Sequence, residues 1–175
     1  MRSILLMIIF TFSFFAVPAL AQLNPVLSVG PLFSVPVGDL DENADFGIGG
    51  GLRFEYPVLD NLTPTLSLDY IHFSEAKLYQ TSVTNNAFIA LAGLKFFPIK
   101  KLYVLGQAGV NLFNSKVETD IFNIITTTTL KKNKFIGSLG VGYEVARIFD
   151  LGVHYNLSDK ANFINLRIAY MFNFK

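Results

Sequence analysis

From Val26 onward, hydrophobic and polar residues alternate one for one, in segments of about ten residues set between turn signals. A period of two places successive side chains on opposite faces of an extended chain, so each segment predicts a β-strand. Eight are visible. Val26 to Val37 puts Leu27, Val29, Pro31, Phe33, Val35 and Val37 on one face, with Ser28, Gly30 and Ser34 on the other. Phe46 to Val58 sets Phe46, Ile48, Leu52, Phe54, Tyr56 and Val58 against Gly47, Gly49, Gly51, Arg53 and Glu55. Thr63 to Ser74 sets Leu66, Leu68, Tyr70 and His72 against Thr65, Ser67 and Asp69. Asn86 to Phe97 alternates least cleanly, because Ile89 and Leu91 share the second face with Gly93 and Lys95. Leu102 to Asn114, Lys134 to Ala146, Phe149 to Leu157 and Asn162 to Phe174 complete the set, with Glu144, Asp150, His154 and Arg167 on their polar faces.

Alternation alone fits a sheet with one face in water. Three features move the expectation to a bilayer. The face that carries ions is also the face rich in Gly and Ser, as the inside of a narrow barrel requires. Aromatic residues cluster near segment ends on the apolar face: Phe46, Tyr70, Phe88, Phe135 and Tyr155 at one end, and Tyr56, Phe96, Tyr143, Phe172 and Phe174 at the other. Two aromatic girdles flanking an apolar band are the signature of two membrane interfaces. Connections also alternate: short near Asp60-Asn61, Pro98 to Lys101 and Arg147-Ile148, longer at 38–45, 75–85 and 115–133. In hydrocarbon every backbone polar group needs an internal partner, which a sheet provides only by closing on itself. The expected fold is therefore an all-β, closed, antiparallel, up-and-down transmembrane barrel of eight strands. Such a barrel has an interior just filled by side chains.

Composition agrees. The chain has 175 residues, with 18 Phe and 7 Tyr, 15% charged residues and a mean hydropathy of +0.44. Ordinary domains carry about 25% charge, and disordered chains carry few aromatics, so disorder is excluded. A net charge of +1 argues against nucleic acid as a partner. Zero cysteines exclude a disulfide scaffold and any thiolate metal site. No apolar run after residue 22 reaches the length of a spanning helix.

Residues 1–21 have the pattern of a secretory signal peptide: Arg2, an apolar run from Ile4 to Val17, and Ala19-Leu20-Ala21 as a small-residue cleavage site. Removing them leaves positive and negative side chains equal in number, in a barrel domain of residues 22–175. The alternative is an anchor that stays attached, for which the run is short.

Four stretches carry a family resemblance: Ser34 to Gly38, Gly47 to Tyr56, Gly137 to Glu144, and Tyr170-Met-Phe-Asn-Phe174. With them the chain resembles small eight-stranded outer-membrane barrels of the OmpA transmembrane-domain and OmpX type, and the outer membrane protein beta-barrel domain families. The resemblance implies residence in the outer membrane of a Gram-negative bacterium and contact with its lipids, lipopolysaccharide included. It also implies handling by the barrel-assembly machinery, which reads a terminal aromatic residue; here Lys175 follows Phe174.

Inward positions are expected to bring Arg53, Glu55, Asp69, Lys95, Glu144 and Arg167 into one lumen network, with Asp150 and His154 nearer the ends. Ions in a narrow lumen are costly unless paired, and similar barrels carry such a network. The expected role is a polar filling that fixes the barrel; the alternative is a small gated pore. His154 is expected to be hydrogen-bonded rather than a metal ligand, and neither cofactor nor metal is indicated. His72 and Ser74 share the lipid face near the outer end. A base and a hydroxyl there could hydrolyse a lipid ester, and outer-membrane lipid A deacylases have a similar His-x-Ser pair; Asp45 is the candidate orienting carboxylate. The primary expectation is a non-enzymatic barrel that acts structurally or in surface recognition through 75–85 and 115–133. Lys131, Lys132 and Lys134 read as solvated, or else as contacts for lipid A phosphates. The remaining alternative is a soluble lipocalin-like carrier.

Overall fold

The computed structural model describes residues 24–38, 44–78, 81–121, 124–159 and 161–174, so the signal-peptide reading lies outside the described residues. Eight strands follow in chain order: β1 (Val26–Val37), β2 (Ala44–Glu55), β3 (Leu62–Leu78), β4 (Thr81–Ile99), β5 (Leu102–Ile121), β6 (Ile124–Val145), β7 (Phe149–Ser158) and β8 (Asn162–Asn173). Each pairs antiparallel with the next, and β8 pairs with β1, so the sheet closes. Closure leaves no strand edge in the membrane-spanning part.

The register sets the shape. Following pairs from Val26 through Glu55, Thr65, Gly93, Gln107, Ser138, Asn156 and Phe163 returns to β1 at Pro36, ten residues beyond the start. A shear of ten on eight strands tilts them toward the steep end of the roughly 35–45° range for barrels. At about 3.3 Å per residue and that tilt, twelve-residue strands such as β1 and β8 rise close to 30 Å, enough to cross hydrocarbon.

Faces follow parity. Leu66, Val141 and Ile168 are exposed on the outer wall, whereas Arg53 and Arg167 are 2% and 1% exposed. An apolar exterior around buried ions rules out the soluble-carrier reading, which needs the reverse. Phe46, Tyr70, Phe88, Phe96, Phe135, Tyr143, Tyr155, Phe172 and Phe174 all face outward. Tyr56 lies past the end of β2, half-buried, where its N–H donates to Pro64 O. Two aromatics not expected in a girdle join the short-turn end, where Tyr170 packs edge-on against both Phe149 and Phe172.

The ends differ. At the short-turn end, Ala146 and Arg147 both take positive φ (52° and 56°), and Ile148 N–H closes the turn on Val145 O. Two left-handed residues match the right-handed twist of the flanking strands. At the other end, the long connection at 75–85 is strand rather than loop, and at 115–133 the β-prone run Thr126–Thr129 extends segments five and six beyond the rim, as its composition suggests. β3 continues to Leu78 and β4 begins at Thr81; β5 continues to Ile121 and β6 begins at Ile124. Both stretches are β-hairpins, and together β3–β6 form a sheet that projects beyond the barrel rim.

The lumen has two zones. Near the short turns it is ionic. Toward the projecting end, Leu32, Ile71, Phe73, Ala87, Ile89, Leu91, Ile136, Ala161 and Phe163 form one buried apolar cluster, with Phe73 edge-on to Phe163 at 5.8 Å. A lumen filled throughout by polar groups therefore does not describe the outer half.

Candidate functional site

The ionic zone is organised around Asp150, the second residue of β7. Its Oδ1 accepts from Tyr103 Oη at 2.5 Å; its Oδ2 accepts from Arg167 Nη1 at 3.0 Å and Arg53 Nη1 at 3.4 Å, and lies 3.5 Å from Lys95 Nζ. Lys95 Nζ donates to both oxygens of Glu55, at 2.7 and 2.8 Å, and to Glu144 Oε1 at 3.1 Å. The Lys95 ammonium also lies 4.2 Å from the Tyr103 ring centroid, a favourable placement for a desolvated cation. Remaining donors are used: Arg53 Nε on Ser67 Oγ, Arg167 Nη2 on Ser28 Oγ, and Gln107 Nε2 on Thr65 Oγ1 and Ser67 Oγ. Buried charge is tolerable here because each ion meets an opposite charge and hydrogen bonds satisfy the rest.

Glycines make the room. A Cβ on Gly142 would overlap the Tyr103 ring, and one on Gly140 would overlap His154. The rings lie flat on these positions, which is the local reason for glycine on the inward rows of β6 and β7.

Five of the six expected network residues meet: Arg53, Glu55, Lys95, Glu144 and Arg167. Asp69 does not. It is buried in the field of Arg53 and Arg167, yet among the described residues it forms no ion pair or hydrogen bond. Asp150, expected toward an end, is the hub, and Tyr103 was overlooked. Its place on the inward row of Gln107 and Asn111 was the available signal. Among the described residues, His154 Nε2 is buried without a partner, as are the Asn111 side-chain atoms and Asn156 Nδ2.

His72 and Ser74 are exposed on the outer wall near the projecting end. His72 Nδ1 lies 2.7 Å from Asn86 Oδ1, which also accepts from Tyr70 Oη at 3.2 Å. An amide oxygen only accepts, so Nδ1 is the donor in this contact. The orienting group is thus Asn86 of β4, directly paired with His72, and not Asp45. Among the described residues no hydrogen bond joins His72 to Ser74.

Lys134 Nζ donates to the Asp159 backbone oxygen and lies 3.8 Å from its carboxylate, so this lysine is engaged within the rim.

With the closed wall and its inverted polarity established, sequence comparison is decisive: residues 7–172 match the outer membrane protein beta-barrel domain family. The chain belongs to that family. It is an outer-membrane protein. No curated relative matches the sequence. Solved structures of similar fold include Ail, the attachment invasion locus protein of Yersinia pestis (14% identity, TM-score 0.64, covering 85% of this chain and 98% of that one). Neisserial surface protein A is similar at 14% identity and TM-score 0.56, covering 86% and 97%. The N-terminal β-barrel domain of Pseudomonas aeruginosa OprF is similar at 14% identity and TM-score 0.58, covering 84% and 97%.

The hub predicts an order of sensitivities. Asp150→Asn strands three cations that share one buried carboxylate and should cost about 3–5 kcal/mol, the usual loss for breaking a buried ion pair. Glu144→Gln touches one bond of a partly exposed group and should cost clearly less. Urea titration of the folded band on heat-modifiable gels checks this; equal losses would refute the hub.

Proposed function

We propose that this barrel is non-enzymatic and acts at the cell surface through the projecting β3–β6 sheet. The observation that carries the reading is an unpaired edge. The last pair between β6 and β7 is Ile136 with Ser158, yet β6 continues to Ile124 paired only with β5. Twelve residues of strand therefore offer backbone donors and acceptors on one side, above the membrane, where a partner strand can add. The β-branched run Thr126 to Thr129 lies within it. An Ail structure of similar fold, at 16% identity and TM-score 0.61, is in complex with the heparin analogue sucrose octasulfate. That makes a sulfated polysaccharide the second ligand class to test here, with Lys131, Lys132 and Lys134 on the same strand. Before that, biogenesis requires the barrel-assembly machinery, and lipopolysaccharide surrounds the outer half of the wall.

Protease added to intact cells should cut within 115–133 and spare the remainder. Deleting 117–130 should leave a heat-modifiable barrel while abolishing binding of cells to immobilised partner or to heparin beads. Unchanged binding by the deletion variant would sink the proposal.

The lumen supports a closed reading over a gated pore, because two unlike barriers stand in series. Re-pairing the ions does not move Phe73 and Phe163. In planar bilayers Glu144→Gln should stay silent, and Phe73→Ala with Phe163→Ala should be needed before current appears; steps from Glu144→Gln alone would favour the pore.

The lipid esterase remains as a second reading, because Asn86 holds the His72 ring through Nδ1, as the orienting group of a general base does. Against it stands the missing bond to Ser74. Membranes carrying Ser74→Ala should show the same lipid A acylation as wild type; loss of a deacylated species would reverse that choice.

A further inference from the structure

The unpaired β6 edge carries a sequence that is its own complement. From Ile125 to Leu130 it reads Ile-Thr-Thr-Thr-Thr-Leu, which by residue class is the same in either direction. Laid antiparallel against a second copy, with the centre between Thr127 and Thr128, it sets Ile125 opposite Leu130 and every threonine opposite a threonine. Pairs of β-branched residues and of threonines favour a ladder, whereas like charges directly opposite oppose it. The flanking position keeps to this rule, because Lys131 falls opposite Ile124.

Charge along the β5–β6 hairpin is divided in the same sense. Toward the tip, β5 places Asp120 beside Ile125 and Glu118 beside Thr127. Nearer the membrane come Lys116, beside Thr129, and then Lys131 and Lys132 on β6. An antiparallel pair lays the acidic end of each copy by the basic end of the other. A parallel pair would set lysines beside lysines.

Symmetry then fixes where the two copies stand. Two identical strands that share one edge about a two-fold axis run in opposite directions. In both copies β6 runs from Ile124 at the projecting tip to Val145 at the short-turn end. Within one membrane the two strands therefore point the same way and cannot pair. In two facing membranes one descends while the other rises. The edge begins beyond the last β6–β7 pair, Ile136 with Ser158, and residues 124–131 are its outermost part, farthest from either bilayer.

We infer that this edge is a homophilic contact, in which a barrel on one cell pairs with a second copy on another through residues 124–131 of each. The inference rests on the edge being the recognition surface and names its partner as the same chain. Each copy covers the edge of the other, so the contact closes at two chains and leaves no edge for a third.

The test places the full barrel in two populations of phosphatidylcholine vesicles with different dyes and reads clustering as two-colour coincidence. Wild-type vesicles should cluster with each other and not with protein-free vesicles. Thr127→Lys with Thr128→Lys puts like charges opposite across the two-fold centre, and clustering should be lost. Thr127→Glu with Thr128→Glu should lose it equally. Mixing these two variants should restore it, since Lys then stands opposite Glu. The same Lys or Glu pair at Thr81 and Ser82 on β4, away from the edge, should leave clustering as in wild type. Gel mobility confirms that each barrel is folded. Absence of wild-type clustering overturns the homophilic contact; the edge reading itself fails only if deleting 117–130 also leaves the binding of cells to other partners unchanged. Clustering that survives that deletion, or Lys and Glu variants that do not rescue each other, overturns the pairing as well.

Discussion

A backbone amide in hydrocarbon has no water to bond, and this constraint governs the molecule. It cannot be met by an open sheet, so β8 must return to β1. Closing eight strands with a shear of ten leaves a lumen about two side chains across. Most of what is placed inside is then desolvated and in contact. Outside, the same closure exposes a wall that only apolar side chains can cover. The polarity is inverted relative to a soluble barrel because the solvent is inverted.

Desolvation explains what the lumen can hold. Apart from Asp69, the buried charges of the lumen lie where partners converge, and they converge at one level, around Asp150, from five other strands. The geometry depends on glycine: Tyr103 reaches Asp150 only because Gly142 and Gly152 give its ring a flat bed. Farther out the inward rows change to Ile, Leu and Phe, which need no partners. Between the two zones lie buried polar atoms of His154, Asn111 and Asn156 that find no partner among the described residues. The lumen is thus a junction of two fillings, with its imperfect packing at the seam.

Parity made the wall legible from sequence. Arg53 lies inside because Leu52 and Phe54 must lie outside, and no knowledge of neighbours is needed for that. Contacts between strands were another matter. Asp150, Tyr103, Arg53 and Lys95 meet because of the shear, which the sequence does not state; Asp150 and Arg53 are 97 residues apart. Asn86 escaped notice as the partner of His72 for the same reason. The apolar zone was hidden because Ile89 and Leu91 alternate with Phe88 and Ala90, so that both faces look alike. The hairpins at 75–85 and 115–133 read as loops because, once clear of the bilayer, a strand no longer needs an apolar face. Only the β-branched threonines hinted at them.

The two ends of the barrel answer to different demands, and the asymmetry falls on one side. β1, β2, β7 and β8 stop near the membrane surface, while β3–β6 continue well past it. The continuing strands also carry the hydrogen-bonded His72–Asn86–Tyr70 cluster and most of the small outward residues, with Gly50 on β2 outside them. Stability of the barrel does not call for this grouping, since any strand could have borne alanine or glycine outward. A sheet that projects from a bilayer is a lever, and its base is the wall just below.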